Sequence, residues 1–478
     1  MERVLKGYEP ENLYSFFEDL TRIPRGSGNE KEASDYVCTL AEKLGLWYKQ
    51  DELFNVIVKK PGSGGLEDAE PVILTGHLDV VCEKNNDVVH DFTKDPVDMY
   101  VEGDWLKTRG TTLGADNGTA VAIMLALLSE EGGKLPPLEC LFTTQEETGM
   151  AGAQGFDYSL LRGHTLINLD SGRTKNPTVS CAGAEFDYAT FAFKRADAAG
   201  TPLTVALTGL VGGHSGSRIH LGRQNSIRLL ARILGMAREK VAFRLASFDG
   251  GSKANAIPRE AVAELVTEEP EALTKEIERI TEDLRAELIE DDKGLAVTVK
   301  EGGRADAFSE ADTDSLLFFL NAVPNGALSF VPTDPGLVES SSNLGVIRTE
   351  GDKVVVTVMP RSSLESRMDE IAFRLDALAR RAGAELVHTR RHTGWAWAPK
   401  SHLRDVYSAV YERLRGEKPS YEGIHAGLEC GVMSGRIPGM DAIAIGSRAV
   451  GAHTPEEMMD IPDLARTLEL VKQVLAAL

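Results

Sequence analysis

The chain has 478 residues, 42% hydrophobic and 26% charged, ordinary globular values at a length that one core rarely supports, so two domains are expected. A net charge of −21, from 52 basic against 73 acidic residues with no Lys/Arg block, argues against a nucleic-acid partner. No apolar run reaches the about 18 residues of a membrane span, the segment from Met1 shows no signal-peptide pattern, and five cysteines lie scattered without CxxC spacing, so a cytoplasmic chain with reduced thiols and no membrane contact is expected.

In chain order, Glu11–Leu20 reads as a helix and Asn29–Leu44 as a longer amphipathic one with Asn29 at the cap. Apolar runs at Asn55–Lys59, Val72–Thr75, Leu138–Thr144 and Thr165–Leu169 read as strands. Thr119–Ser129, apolar almost throughout, reads as a buried helix. Continuous apolar strands separated by helices indicate an α/β domain with a covered sheet. From 186 to 390 the texture changes to two strand–helix–strand halves, an arrangement open to an internal duplication. Thr204–Thr208 leads to helix Asn225–Met236; Val354–Val358 turns through Pro360 and Arg361 into helix Ser366–Arg381 and strand Glu385–Thr389. Beyond Trp395 come helix His402–Leu414, strand Ala442–Ile445 and a closing helix Pro462–Leu478. The expected organisation is one α/β domain built from 1–185 and 391–478, with an α+β domain of 186–390 inserted.

The polar residues at the ends of these strands carry the chemistry. His77-Leu78-Asp79 follows the run Val72–Thr75, so His77 leaves the sheet edge where ligands collect in α/β folds, and Asp79 is placed to hold its other nitrogen. Asp116 stands between glycines at the start of the apolar helix, Glu146-Glu147 follows the strand Leu138–Thr144, Asp170 ends the strand Thr165–Leu169, and His453 sits in a late turn. Each has a bland reading of its own: a His–Asp pair, a helix cap, a solvated acidic loop, a turn residue. Adjacent Glu146 and Glu147 repel unless one meets a cation while the other is free to take a proton, the division that activating a water requires. Taken jointly, the two imidazoles and the acids fit a pair of divalent metals better than independent structural causes.

The order His-x-Asp, Gly-Ala-Asp-Asn-Gly, Glu-Glu-Thr-Gly, Asn-x-Asp and late Gly-x-His resembles the dinuclear zinc peptidases of the M20 family over essentially the full length. Gly212-Gly213-His214-Ser215-Gly216, Asn255-Ala256-Ile257-Pro258-Arg259-Glu260, Pro324-Asn325-Gly326 and His425-Ala426-Gly427-Leu428-Glu429-Cys430-Gly431 make it look like the aminoacyl-histidine dipeptidase branch. That resemblance implies a zinc-exopeptidase-like catalytic domain with a mixed central sheet, and an inserted lid. It implies two Zn2+ per subunit, with Co2+ or Mn2+ as substitutes. His77 and Asp170 would hold one, Glu147 and His453 the other, and Asp116 would bridge. Asp79 would orient His77 and Glu146 would act as general base. His214 would stabilise the oxyanion, and Asn255, Arg361 and the Gly427 backbone would take the substrate's terminal carboxylate. Hydrolysis of dipeptides follows, with Xaa-His and broader specificity both open. An N-acyl-amino-acid deacylase and a non-catalytic peptide-binding protein are the alternatives. A homodimer through the lid and a monomer both stay open.

The chain departs from its relatives at Ser171-Gly172-Arg173, Gly446-Ser447-Arg448 and Trp395-Ala396-Trp397, which bears on substrate range rather than on the ligands. His425 carries no ligand role, and Glu429 in the same segment is read as a support behind the ligands or a neighbour of the substrate amine. His90, His164, His220, His388, His392 and His402 show no ligand context in the sequence and read as surface or core residues.

Overall fold

The apolar runs of the N-terminal region become the inner strands of a mixed eight-stranded sheet. Its order is Trp47–Gln50, Val56–Lys60, Leu138–Thr143, Val72–His77, Thr165–Asn168, Asp441–Ala444, Thr178–Cys181 and Glu422–Ile424. Four of these strands are parallel: Val72–His77 runs alongside Leu138–Thr143 and Thr165–Asn168, and Asp441–Ala444 alongside Thr165–Asn168. The register sets His77 opposite Thr143, and Asn168 opposite both Thr75 and Ala444, so the carboxyl ends of all four share one rim. Val72–His77 and Leu138–Thr143 are buried at every position, as strands covered on both faces must be. Helix Ala115–Leu128 lies against them and buries every residue but Asp116.

The computed structural model describes residues 3–332 and 334–478; Met1 and Glu2, part of the N-terminal segment considered above, and Thr333 lie outside the described residues. The chain divides into two units. One comprises the chain up to Ser180, Trp395–Gly423 and Leu428–Leu478; the other comprises Cys181–Gly394 and Ile424–Gly427. The expected boundaries at 185/186 and 390/391 thus fall a few residues inside the second unit. Four residues of the segment at 424–427 also join that unit, a long-range return that periodicity does not report. The five cysteines form no disulfide; Cys140, Cys181 and Cys430 are buried. Among the described residues no helix is long and apolar enough to cross a membrane.

The second unit is an antiparallel sheet covered by helices. Ala296–Glu301, Thr201–Thr208, Ala261–Thr267 and Arg244–Gly250 form one run of four strands. Asp334–Glu350, Lys353–Ser362, Gly183–Ala192 and Glu385–His392 form another, with Gly326–Val331 paired to its first strand. The register pair Gly250↔Ile347 joins the two runs. Side chains alternate in and out, so Ala189 and Phe191 enter a core shared with helices Ser226–Arg238, Glu310–Ala322 and Glu365–Ala382.

Two local expectations need correction. Asn29 does not cap the second helix, which runs Lys31–Lys43 behind Glu30; the Asn29 amide is spent on the Pro24 carbonyl at 3.3 Å. Pro360 and Arg361 do not turn the chain but continue the strand Lys353–Ser362. Proline suggested a break, yet Pro360 pairs with Ser342 on one side, while on the other the ladder to Gly183–Ala192 passes from Val358↔Asp187 to Arg361↔Ala184.

Asn225 caps helix Ser226–Arg238 by accepting from the Arg228 N–H at 3.1 Å, and its amide donates to the Leu344 carbonyl at 2.9 Å. Asn225→Ala removes both bonds and is expected to destabilise the second unit by about 1–3 kcal/mol, read as a lower urea midpoint for its transition.

Candidate metal centre

The shared rim of the four parallel strands explains why residues so far apart in sequence meet. His77 is the last residue of its strand; Glu146 and Glu147 follow the next strand, and Asp170 the third. Asp116 arrives from helix Ala115–Leu128, whose second residue departs from helical geometry (φ −83°, ψ 108°), and its carboxylate turns to the imidazoles. Its Oδ1 lies 3.2 Å from His77 Nε2 and its Oδ2 lies 3.4 Å from His453 Nε2. Asp170 Oδ1 is 3.8 Å from the same His77 nitrogen, and Glu147 Oε1 is 2.9 Å from His453 Nε2. Two groups with ligand atoms within 4.8 Å of one another result, His77–Asp116–Asp170 and Asp116–Glu147–His453, and they share Asp116. A third, His77–Glu146–Glu147, overlaps them. All five sequence-predicted ligands and Glu146 come together in the first unit.

Asp79 supports this rim from below. Its Oδ1 is 3.4 Å from His77 Nδ1, whose other contact is the Asp79 carbonyl at 3.1 Å, and its oxygens accept from Ser27 Oγ (2.7 Å) and the N–H groups of Glu146 (3.0 Å) and Glu147 (3.2 Å). One carboxylate therefore orients the imidazole and fixes the backbone of the Glu146-Glu147 turn. Burial alone would raise Asp79, but these bonds outweigh it and hold the carboxyl down at about 2.

Charge is crowded here. Burial opposes charging of His77, but Asp170, Asp116 and Asp79 overcome it and raise the imidazole well above its usual range. Bonds to Asp116 and Glu147 raise His453 to about 10. Asp170 is pushed well up by burial and the neighbouring Asp116. Burial likewise drives Glu146 to about 8 and Glu429 to about 7. Glu429 is fully buried beside Thr143, whose contact lowers it only in part. Carboxylates crowded against one another and against two imidazoles form a donor set that a cation would relieve. The residues fit divalent metal: two imidazoles and several carboxylates, with an oxygen of each in reach of a nitrogen.

Several residues essential to this geometry are absent from the sequence reading. Glu457 accepts from the N–H groups of Leu113 (2.7 Å), Gly114 (2.9 Å) and Asp116 (3.2 Å) and so sets the backbone of Asp116. Asn117 accepts from His77 N–H at 3.2 Å and donates to the Leu169 carbonyl at 3.0 Å, tying three elements together. Asn168 accepts from Asp170 N–H at 3.1 Å. Arg25, wholly buried, donates to the carbonyls of Leu78 and Gly114, each at 2.7 Å. A Cβ at Gly114 or Gly118 would come within 2.8 or 2.7 Å of that guanidinium, which is why glycines flank Asp116-Asn117. Asn117 lay within the Gly-Ala-Asp-Asn-Gly signal; Glu457, in a Pro-Glu-Glu-Met stretch, carried none.

The second unit has its own polar group. His214 stands in a two-residue strand paired with Ala256–Ile257, and its Nδ1 accepts from Gly216 N–H (3.2 Å) and Ser217 N–H (3.1 Å), leaving the proton on Nε2. Arg361 is buried, its Nε has no partner among the described residues, and burial lowers it to about 10 with no carboxylate of those residues to offset the loss of water. It is therefore not a surface charge at a helix start. His425 packs here too, 2.7 Å from Ser341 Oγ, driven to about 3 by burial and by Arg361. A Cβ at Gly216 would lie 2.3 Å from the His425 carbonyl, so the Gly-rich turn and the 424–427 segment touch. Gly427 is half-buried, whereas Asn255 is exposed and engaged through its carbonyl, which accepts from Ser215 N–H at 2.9 Å.

Known proteins resemble this chain over nearly its full length. The chain is 36% identical over 476 residues to the cytosol non-specific dipeptidase of Escherichia coli (strain K12), covering 98% of each. The crystal structure of aminoacylhistidine dipeptidase from Vibrio alginolyticus matches with a TM-score of 0.91 and 35% identity over 99% of this chain and 98% of that one. An aminopeptidase from Bacillus cereus ATCC 10987 shares the fold at 15% identity, with a TM-score of 0.56 over 98% of both chains. The family model described as Peptidase family M20/M25/M40 spans residues 73–477, and the chain belongs to that family.

Proposed function

We propose that this peptidase is a metal-dependent dipeptidase holding two divalent cations, zinc by preference with cobalt or manganese as substitutes, on His77, Asp116, Glu147, Asp170 and His453. The observation that carries the reading is Asp116, which turns one oxygen toward each imidazole and belongs to both three-ligand groups. When bound, such a pair makes a water acidic and polarises the scissile carbonyl. Glu146 is the general base: each of the two groups sharing Asp116 has three donors without it, and its burial brings its proton affinity close to neutral pH. It takes the proton of the attacking water and passes it to the departing amine. Asp79 keeps His77 in the tautomer that presents Nε2.

The second unit supplies the groups that take the peptide. His214 has its proton on Nε2, free to donate to the tetrahedral oxygen. Arg361, a buried cation with no carboxylate beside it among the described residues, suits a terminal carboxylate, and Asn255 and the Gly427 N–H are assigned the same role. A clamp on that terminus favours short peptides, in keeping with the names of the Escherichia coli and Vibrio relatives. Those names differ in breadth, one non-specific and one for aminoacylhistidine, so preference for a C-terminal histidine is left to experiment. A cytosolic location accords with the first name.

A panel of Xaa-His and other dipeptides, with N-acyl amino acids alongside, tests the reading after chelation and add-back of zinc, cobalt or manganese. Dipeptide hydrolysis is expected to vanish with the metal and return with it. Turnover of N-acyl amino acids alone would make the chain a deacylase, and binding without turnover under every metal would make it a peptide-binding protein. Glu146→Ala is expected to keep two metals per chain by elemental analysis while losing about 10²–10⁴ in kcat; full activity would refute the base assignment. Arg361→Ala is expected to raise KM for dipeptides at least about tenfold, and an unchanged KM would remove Arg361 from the carboxylate clamp.

A further inference from the structure

We propose that the second unit carries a divalent-cation site of its own, formed by Glu185, Asp187 and His388 and separate from the metal centre of the first unit. Glu185 and Asp187 lie two residues apart on strand Gly183–Ala192 and so share a face, the one that carries Ala189 and Phe191 into the core. His388 stands directly across from Asp187 on the neighbouring strand Glu385–His392. Its Nδ1 is 2.7 Å from Asp187 Oδ1 and 3.8 Å from Glu185 Oε1, and one donor atom from each residue lies within 4.8 Å of the others.

The acceptors outnumber their donors. The Glu185 side chain is 5% exposed and accepts no hydrogen bond among the described residues; its nearest cationic nitrogens are His388 Nδ1 at 3.8 Å and Arg391 Nη1 at 4.0 Å. Asp187 is fully buried, and its Oδ2 has no partner. Arg391 is already engaged by Glu365 at 2.8 Å and Asp369 at 2.7 Å, while Asp376 sits 3.6 Å from the other nitrogen of His388. Five carboxylates thus surround one guanidinium and one imidazole. Burial pushes Asp187 up to about 6 even with His388 beside it.

Two carboxylates on a core-facing strand are costly when unpaired, and a divalent ion removes that cost. The donor set selects its class. One imidazole nitrogen with two carboxylates suits Zn2+ or Mn2+, whereas Ca2+ asks for six to eight oxygens. The ion takes the place of the proton that His388 Nδ1 shares with Asp187. It joins the strand Glu385–His392 to its neighbour, beside Asp376 of helix Glu365–Ala382, and its role is to hold that corner of the sheet.

The proposal does not depend on the dipeptidase reading, and its test leaves the first centre loaded. Zn2+ titrated calorimetrically onto the metal-loaded holoenzyme is expected to show one further site per chain in the wild type and none in His388→Ala or Asp187→Asn. The absence of a further site in the wild type, or its survival in both variants, would overturn the proposal. Anomalous diffraction from Zn2+-soaked wild-type crystals needs no variant to fold: a peak between Asp187 and His388 supports the site, and no peak there refutes it.

Discussion

The contact of Asp116 with two imidazoles is the constraint on which the first unit depends. One carboxylate can address His77 and His453 at once only if its backbone is held off the helical path, its Cβ faces the rim, and both histidines approach from opposite sides. Each condition has a named cause. Glu457 fixes the amide, Arg25 fixes the carbonyl of Gly114, and the glycines at 114 and 118 give that guanidinium its space. His453 reaches in from a residue at φ 65°, a left-handed conformation that a non-glycine residue rarely adopts. Gln145, at φ 52°, does the same just before Glu146. Left-handed backbone at two places on one rim shows that the surrounding structure over-determines these side chains.

Electrostatics and backbone satisfaction are solved together here. The acids that crowd the rim repel one another, yet three of their supporting carboxylates face main-chain N–H groups: Asp79 those of Glu146 and Glu147, Glu457 those of residues 113, 114 and 116, Glu30 that of Gln145. A loop at a strand end leaves its N–H groups without ladder partners, so an acid placed beneath it both satisfies the loop and sets its shape. The negative charge that favours cations above is thus partly the same charge that builds the loops below.

The rim was legible in the sequence because strand ends followed by isolated acids or imidazoles break an apolar run at recognisable points: His77 after Val72–Thr75, Glu146 after Leu138–Thr144, Asp170 after Thr165–Leu169. The direction of the strands was not legible, and it is their parallel register that turns a series of strand ends into one rim. Supporting residues were hidden for a different reason. Glu457 and Arg25 resemble surface charges, and only their burial against backbone atoms far away in the sequence gives them meaning. Arg361 was read as a turn residue because proline normally ends a strand, yet the strand runs on through Pro360 and pairs Arg361 on both sides, with Ser341 and Ala184. His388 looked isolated because its neighbours, Glu185 and Asp187, lie two hundred positions upstream and meet it only through cross-strand register.

Charge buried in the second unit extends the same logic to ligands. Arg361 is a cation inside the protein with no carboxylate beside it among the described residues, whereas Glu185 and Asp187 are two buried acids that share the His388 imidazole. Burying charge without enough of the opposite sign is unfavourable by several kcal/mol, so a counter-ion from solution would be favoured at both places. The two places differ in what they admit. Arg361 lies among neutral imidazoles, His214 and His425, whose protons burial and Arg361 itself keep off, so no internal charge competes for its guanidinium. An anion that comes and goes can be exchanged there at every cycle. Glu185 and Asp187 sit under a helix on a core-facing strand, hemmed by further acids, where an occupant would be slow to leave. The first environment suits a substrate and the second a structural ion, and that difference follows from the charge and packing around each group.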